Sequence, residues 1–355
     1  MLAAARIREL IRLLLKHRCD RDYRYVRVLT TIFLSLWLQR YIRTEDHLYR
    51  SRVQGIEIPE APLFIIGHWR SGTTYLHYLL ALDSAQFAHA TNYQCLFPTV
   101  FLTLDEDSGF YKLVKHIFGR RTRLIDNVEV EIHSPQEDEW MYLPEGGFSY
   151  SSEQIFFPNT VVSDIDEVLH LSTNRQSEEL TLKIFEKLTY QYRKRMISKS
   201  PGHCFRIGLL KKLFPTSKFI FLIRHPYKIV PSMMRMEEIL RQKFSLHKRS
   251  HNDLYSGAQF LSSYYNHLRK QIVLLNPQEF LFIKYEKLVE DPVATILSIY
   301  NTLDIPYTDQ YHQILIRYVQ SLHGYQTNTL QIDEDTKHVI YTACRHIFET
   351  YGYVP

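Results

Sequence analysis

Apolar positions along the chain change their spacing several times, and each change marks an element. Leu2, Ile7, Leu10, Ile11 and Leu14 recur at helical spacing with Arg6, Arg8, Arg12 and Lys16 between them, which predicts a basic amphipathic helix. A second apolar stretch, Val28 to Leu38, holds Ile32, Phe33, Leu34, Leu36 and Trp37. It falls well short of the roughly twenty residues that a membrane-spanning helix needs. Leu63 to Ile66 is a continuous apolar run ending at Gly67; a polar loop, His68 to Thr74, follows; then Leu76, Leu79, Leu80 and Leu82 return at helical spacing. This predicts strand, loop, helix. Phe219 to Ile223 reads as a strand buried on both faces, closed by Arg224 and broken by His225-Pro226, with a helix starting near Tyr227. Leu180 to Met196 is helical in period. Strands separated by helices predict an α/β fold with a central parallel sheet. Boundaries are expected at Pro59 to Pro62 and around Phe244 to Asn252, a polar, basic segment that reads as a loop or helix end.

Charge adds one asymmetry. The formal net charge of the 355 residues is +5, and residues 1–50 carry it, with eleven Lys/Arg against five Asp/Glu. No basic patch with interleaved aromatics points to a nucleic acid partner. The N-terminal segment either packs on the rest of the chain, associates with another copy, or lies on an anionic membrane surface. The four cysteines, Cys19, Cys95, Cys204 and Cys344, are scattered, as expected for free thiols in the cytoplasm. The 17 histidines make no metal-ligand spacing, so no metal is expected. The 25 tyrosines and 20 phenylalanines suit a ring-lined pocket and an aromatic core equally.

Candidate chemistry begins in the loop after the first strand. Backbone N–H groups at a helix start are unpaired and favour a phosphate. Gly67 and Gly72 enclose four residues, as in a nucleotide P-loop, but Thr73 and Thr74 stand where that loop has Lys and Ser or Thr. The cation is inside the loop, at Arg70. Arg224 lies at the end of the second apolar strand, the edge where open α/β sheets bind ligands, and Ser232 follows eight residues later.

Arg70-Ser71-Gly72-Thr73-Thr74 resembles the 5′-phosphosulfate loop of the sulfotransferases, and the Arg224 and Ser232 pair looks like the residues that hold the 3′-phosphate in that family. Lys199-Ser-Pro is similar to the family's lysine beside the transferring sulfonyl group. The resemblance covers Pro62 to Pro292, with Lys284-Tyr285-Glu286 and Asp291-Pro292 similar to the family's last strand and the turn after it. It implies a P-loop-like three-layer αβα sandwich over residues 59–355, behind a helical extension over 1–58. It also implies 3′-phosphoadenosine 5′-phosphosulfate as donor, with no metal, and a small-molecule acceptor bearing a hydroxyl or amine. Many cytosolic members place a catalytic His two residues after the lysine, where this chain has Pro201. Two sources of a base stand in its place: His203, and the acidic run Glu137-Asp138-Glu139, which also reads as an ordinary helix start. His323 falls where the family returns a loop over the 3′-phosphate. Two other functions fit the loop, a P-loop kinase or NTPase and a non-catalytic nucleotide-binding protein at a membrane. The kinase would want the missing lysine and an Asp for Mg²⁺.

Overall fold

Five strands form the main sheet: β1 (Leu63–Ile66), β2 (Phe87–His89), β5 (Arg195–Lys199), β6 (Lys218–Ile223) and β7 (Phe280–Lys284), in the order β2-β5-β1-β6-β7. A separate antiparallel pair joins β3 (Arg121–Thr122) to β4 (Glu129–Val130). The structure is a computed structural model and describes residues 2–20, 22–123, 125–126, 128–162, 164–248, 253–322 and 331–355. Strands β5 and β6 both pair in parallel with β1, and β7 pairs in parallel with β6. The central strand explains its own composition: Leu63, Phe64, Ile65 and Ile66 are fully buried, which suits a strand covered on both faces. The fold is the parallel α/β arrangement expected.

Contacts divide the chain into two units, one of Met1–Glu60, His89–Met196 and Glu238–Ser250, the other of Ala61–Ala88, Ile197–Glu237 and His251–Pro355. The second unit carries most of the sheet. Its core joins Leu63, Ile65, Ile197, Ile220 and Leu222 to Leu76, Leu79 and Leu80 of the helix Thr73–Ala81. The periodic leucines after the glycine loop therefore form the face that anchors that helix on the sheet.

The first unit is mostly helical. Helix α1 (Ile7–His17) and helix α2 (Arg24–Val53) pack together, and Leu10 and Val28 share a core with Leu143 and Phe157. Helix α2 is far longer than its apolar run. Its buried positions (Val28, Ser35, Leu38, Ile42, Glu45 and Val53) continue at helical spacing, so tertiary contacts extend it. Two buried carboxylates in this unit, Glu45 and Glu145, are paired with lysines. Glu45 accepts from Leu102 N, Thr103 N and Lys187 Nζ at 2.9, 3.0 and 2.6 Å. Burial works against the Glu145 carboxylate, yet Lys183, Lys187 and Arg6 outweigh it and hold the group at about 2.

One expected element is corrected. Leu180 to Met196 reads as helix in sequence, but the helix Arg175–Tyr192 stops there, Arg193 turns left-handed at φ 54°, and Met196 lies in β5. Met196 and Ile197 are buried, and an apolar pair fits either period; pairing of β5 with β1 decides in favour of strand. The helix Pro226–Phe244 ends where the segment Phe244 to Asn252 begins, and residues 249–252 of that segment lie outside the described residues. Among the described residues, no helix is long and apolar enough to cross a membrane.

Candidate active site

The loop joining β1 to the helix Thr73–Ala81 is built around two glycines that have no room for a side chain. A Cβ on Gly67 would lie 2.5 Å from the Leu222 carbonyl oxygen and 2.6 Å from Ser71 Oγ. At Gly72 φ is 99°, and a Cβ would lie 2.2 Å from the Tyr285 ring. Arg70, between them, also has positive φ, at 71°. Such backbone costs on the order of 1–3 kcal/mol in a non-glycine residue and needs local support. Ser71 N donates to His68 O at 3.0 Å, and Arg224 Nη1 donates to Arg70 O at 2.9 Å, which supply it. Gly72 gives the following helix no side-chain cap, so its first N–H groups open into the loop. Ser71 is fully buried, and its Oγ has no hydrogen-bond partner among the described residues. An enclosed loop with open donors suits a bound anion.

The structure brings Arg70, Arg224 and Ser232 together. Arg70 Nε donates to Ser232 Oγ at 3.0 Å, which links the glycine loop to the helix after β6. The Arg224 guanidinium stands 4.1 Å over the Tyr285 ring. Burial is the largest influence on Arg224 and lowers its pKa; Tyr285 opposes this, and the charge of Arg70 adds to it. Two cations held close and partly dehydrated favour an anionic ligand. Lys199 is the last residue of β5, in register with Ile65 of β1, and is only 2% exposed. The Gly67 loop, Lys199, Arg224 and Tyr285 thus all follow or end parallel strands at the carboxyl edge of one sheet.

The two sources of a base are placed differently. His203 lies fully buried in the 3-10 turn after β5, its Nε2 2.6 Å from Ser198 Oγ and its ring edge-on to Phe64 at 5.4 Å. Glu137, Asp138 and Glu139 belong to the first unit. Asp138 and Glu139 are buried at the start of the 3-10 turn Asp138–Met141, while Glu137 is half-buried before it. Glu139 Oε1 accepts from Ser149 Oγ at 3.1 Å and Ser151 N at 3.5 Å. His323 lies outside the described residues. Among those described, no group of three His, Cys, Asp or Glu is arranged to hold a metal.

Three residues here were not legible as site residues. Tyr285 backs Gly72 and carries Arg224, and Glu286 accepts from His225 N and Tyr353 Oη, each at 3.1 Å. Their signal was position: the register pairs Ile223 with Lys284, so Tyr285 follows β7 as Arg224 follows β6. His68 is the third. It is enclosed by Trp69, Phe260 and Tyr264, with ring centroids 5.3, 5.8 and 5.0 Å away. Burial drives its pKa down to about 4, against the hydrogen bond between Nδ1 and the Trp69 carbonyl.

Two predictions arise from this geometry. Gly72→Ala must push back the Tyr285 ring and strain the left-handed backbone, at a cost of about 2 kcal/mol. Urea denaturation should show that loss of stability, with weaker binding of any anion that Arg224 holds. The second concerns acid. His68 is neutral in the folded chain until about pH 4, whereas its unfolded pKa is 6.5. The unfolded state alone takes up a proton between those values, so the stabilisation present above 6.5 is lost as pH falls toward 4. This amounts to about 3 kcal/mol. His17, lowered to about 4 by burial and by Lys16 and His247, acts in the same direction. Urea midpoints measured across this window should fall less steeply for His68→Gln than for the native chain.

Comparison with known proteins identifies the family. A family model described as the sulfotransferase family matches residues 62–309. The omega-hydroxy-beta-dihydromenaquinone-9 sulfotransferase Stf3 of Mycobacterium tuberculosis (strain CDC 1551 / Oshkosh) is 30% identical over 328 residues, covering 90% of this chain and 80% of that protein. Among solved structures, sulfotransferase STF9 from Mycobacterium avium matches with a TM-score of 0.68 at 18% identity, over 87% of this chain and 81% of that one. Sulfotransferase STF1 from M. tuberculosis H37Rv matches with a TM-score of 0.63 at 17% identity, over 89% and 87%. The structural matches agree on the fold, and the sequence matches place the chain in the sulfotransferase family.

Proposed function

We propose that the chain transfers a sulfonyl group from 3′-phosphoadenosine 5′-phosphosulfate to a hydroxyl on a lipophilic small molecule. The observation that carries the donor half is the Arg70–Ser232–Arg224 linkage at the carboxyl edge of the sheet, next to an uncapped helix start. The residues present fit the donor. Gly67 and Gly72 leave a cradle that a Cβ would fill, and Ser71 Oγ is a buried hydroxyl without a partner among the described residues. In this assignment Arg70, Ser71, Gly72, Thr73, Thr74 and Lys199 hold the 5′-phosphosulfate, and Arg224 and Ser232 hold the 3′-phosphate.

The nucleotide, when bound, supplies an activated sulfonyl group. Arg70 and Lys199 are the fixed cations that meet charge building on the sulfonyl and bridging oxygens. Their chemistry is our reason for assigning no metal. Two candidates for the base that takes the acceptor's proton stand as alternatives, His203 and the Glu137-Asp138-Glu139 run. The acceptor assignment rests on the 30%-identical relative named omega-hydroxy-beta-dihydromenaquinone-9 sulfotransferase.

Incubation with sulfur-labelled donor in EDTA tests this reading. Label should pass to long-chain primary alcohols and extract into organic solvent, at a rate that added Mg²⁺ leaves unchanged. Transfer confined to sugars or peptides would overturn the acceptor assignment.

A further inference from the structure

Helix α2 is apolar on both sides over Val26 to Leu38, yet only one side is covered. Val28, Ser35, Leu38 and Ile42 face the core of the first unit. On the opposite side, Val26, Leu29, Phe33, Leu36 and Trp37 recur at three- and four-residue steps, a single stripe three turns long. Phe33 is 70% exposed and Val26 62%. The stripe is not alone. Trp37 packs against Phe110 of the helix Gly109–Phe118, with ring centroids 5.6 Å apart, and that helix exposes Leu113 and Ile117 four residues apart. A helix that is apolar all round is normally buried, and an exposed patch of this extent marks a surface that something covers.

Charge indicates the occupant. Arg40, Arg43 and His47 continue the stripe toward the C-terminal end of α2, all exposed. Lys112, Lys115 and His116 are exposed beside Leu113 and Ile117, while the exposed acidic run Asp105–Asp107 precedes that helix, three residues before the Phe110 that packs on Trp37. Helix α1 exposes Ile11 and Leu15 among Arg8, Arg12 and Lys16. A second copy of this surface would set basic face against basic face. An anionic bilayer complements both features: its interface accepts the apolar and aromatic side chains, and its headgroups neutralise the arginines and lysines. We propose that the outer stripe of α2, with Leu113 and Ile117, docks the protein on an anionic phospholipid membrane surface without crossing it.

The test is sedimentation of the full chain with vesicles of phosphatidylcholine alone and of phosphatidylcholine with phosphatidylglycerol. The native chain should pellet with the anionic vesicles, with its tryptophan emission shifting to the blue, and should be released by high salt. Phe33→Ser and Leu36→Ser should each lower partitioning by roughly tenfold. Arg40→Gln and Arg43→Gln should each lower it about fivefold. These side chains are exposed, so thermal melting should be unchanged. A native chain that stays in the supernatant would overturn the proposal, as would a Phe33→Ser, Leu36→Ser double variant that pellets equally. A dimer in the absence of vesicles that the double variant dissociates would replace the membrane with a second copy. The readout is partition rather than turnover, so failure here leaves the donor assignment standing.

Discussion

Lys199→Ala is expected to lower kcat by about 10²–10³ while affinity for 3′-phosphoadenosine 5′-phosphate falls only a few-fold. Lys199 ends β5 in register with Ile65, one residue short of the end of β1 and two short of Gly67, and it is almost wholly buried. A lysine fixed by a strand in a dry setting contributes most where charge develops during transfer. The desulfonated product lacks that group, so its binding reports the remaining contacts. Steady-state kinetics and product titration on the same variant separate the two effects. Equal loss of both, with a lowered melting temperature, would mean that Lys199 supports the fold and not the reaction.

Arg224→Ala is expected to weaken 3′-phosphoadenosine 5′-phosphate binding about a hundredfold. Three contributions depend on this side chain. In the proposed assignment it offers a planar fork to a phosphate; in the fold it stacks on Tyr285, and its Nη1 braces the Arg70 carbonyl, the strained point of the loop. Arg224→Lys restores the charge but neither the fork nor the stacking, so it should recover only part of the affinity. The distinguishing readout is specificity. Losing a 3′-phosphate contact should lessen the native preference for the 3′-phosphorylated nucleotide over 5′-AMP. A purely structural role would weaken both ligands alike and leave that preference intact.

Much of the candidate site could be read from the sequence because its parts sit at breaks in apolar runs. Gly67 ends β1 and Arg224 follows β6, and a buried parallel strand is a strong local signal. The sheet order could not be read that way, since β5 pairs with β1 across more than a hundred intervening residues. Tyr285 was hidden for the same reason: its contact with Gly72 depends on β7 lying beside β6. His203 shows the limit of residue type as a guide. As a histidine four residues after a lysine it reads as a candidate base, and the fold sets its ring against Ser198 and Phe64, which residue type alone could not tell. Helix α2 shows the converse, since only the fold separates its covered side from its exposed one.

The most direct test of the central claim is calorimetric titration of the native chain with 3′-phosphoadenosine 5′-phosphate in EDTA, beside 5′-AMP, ADP and ATP. Metal-independent binding that drops sharply without the 3′-phosphate is the predicted result. A preference for ATP with Mg²⁺, or equal affinity with and without the 3′-phosphate, would contradict the assignment of Arg224 and Ser232 and of the loop they brace.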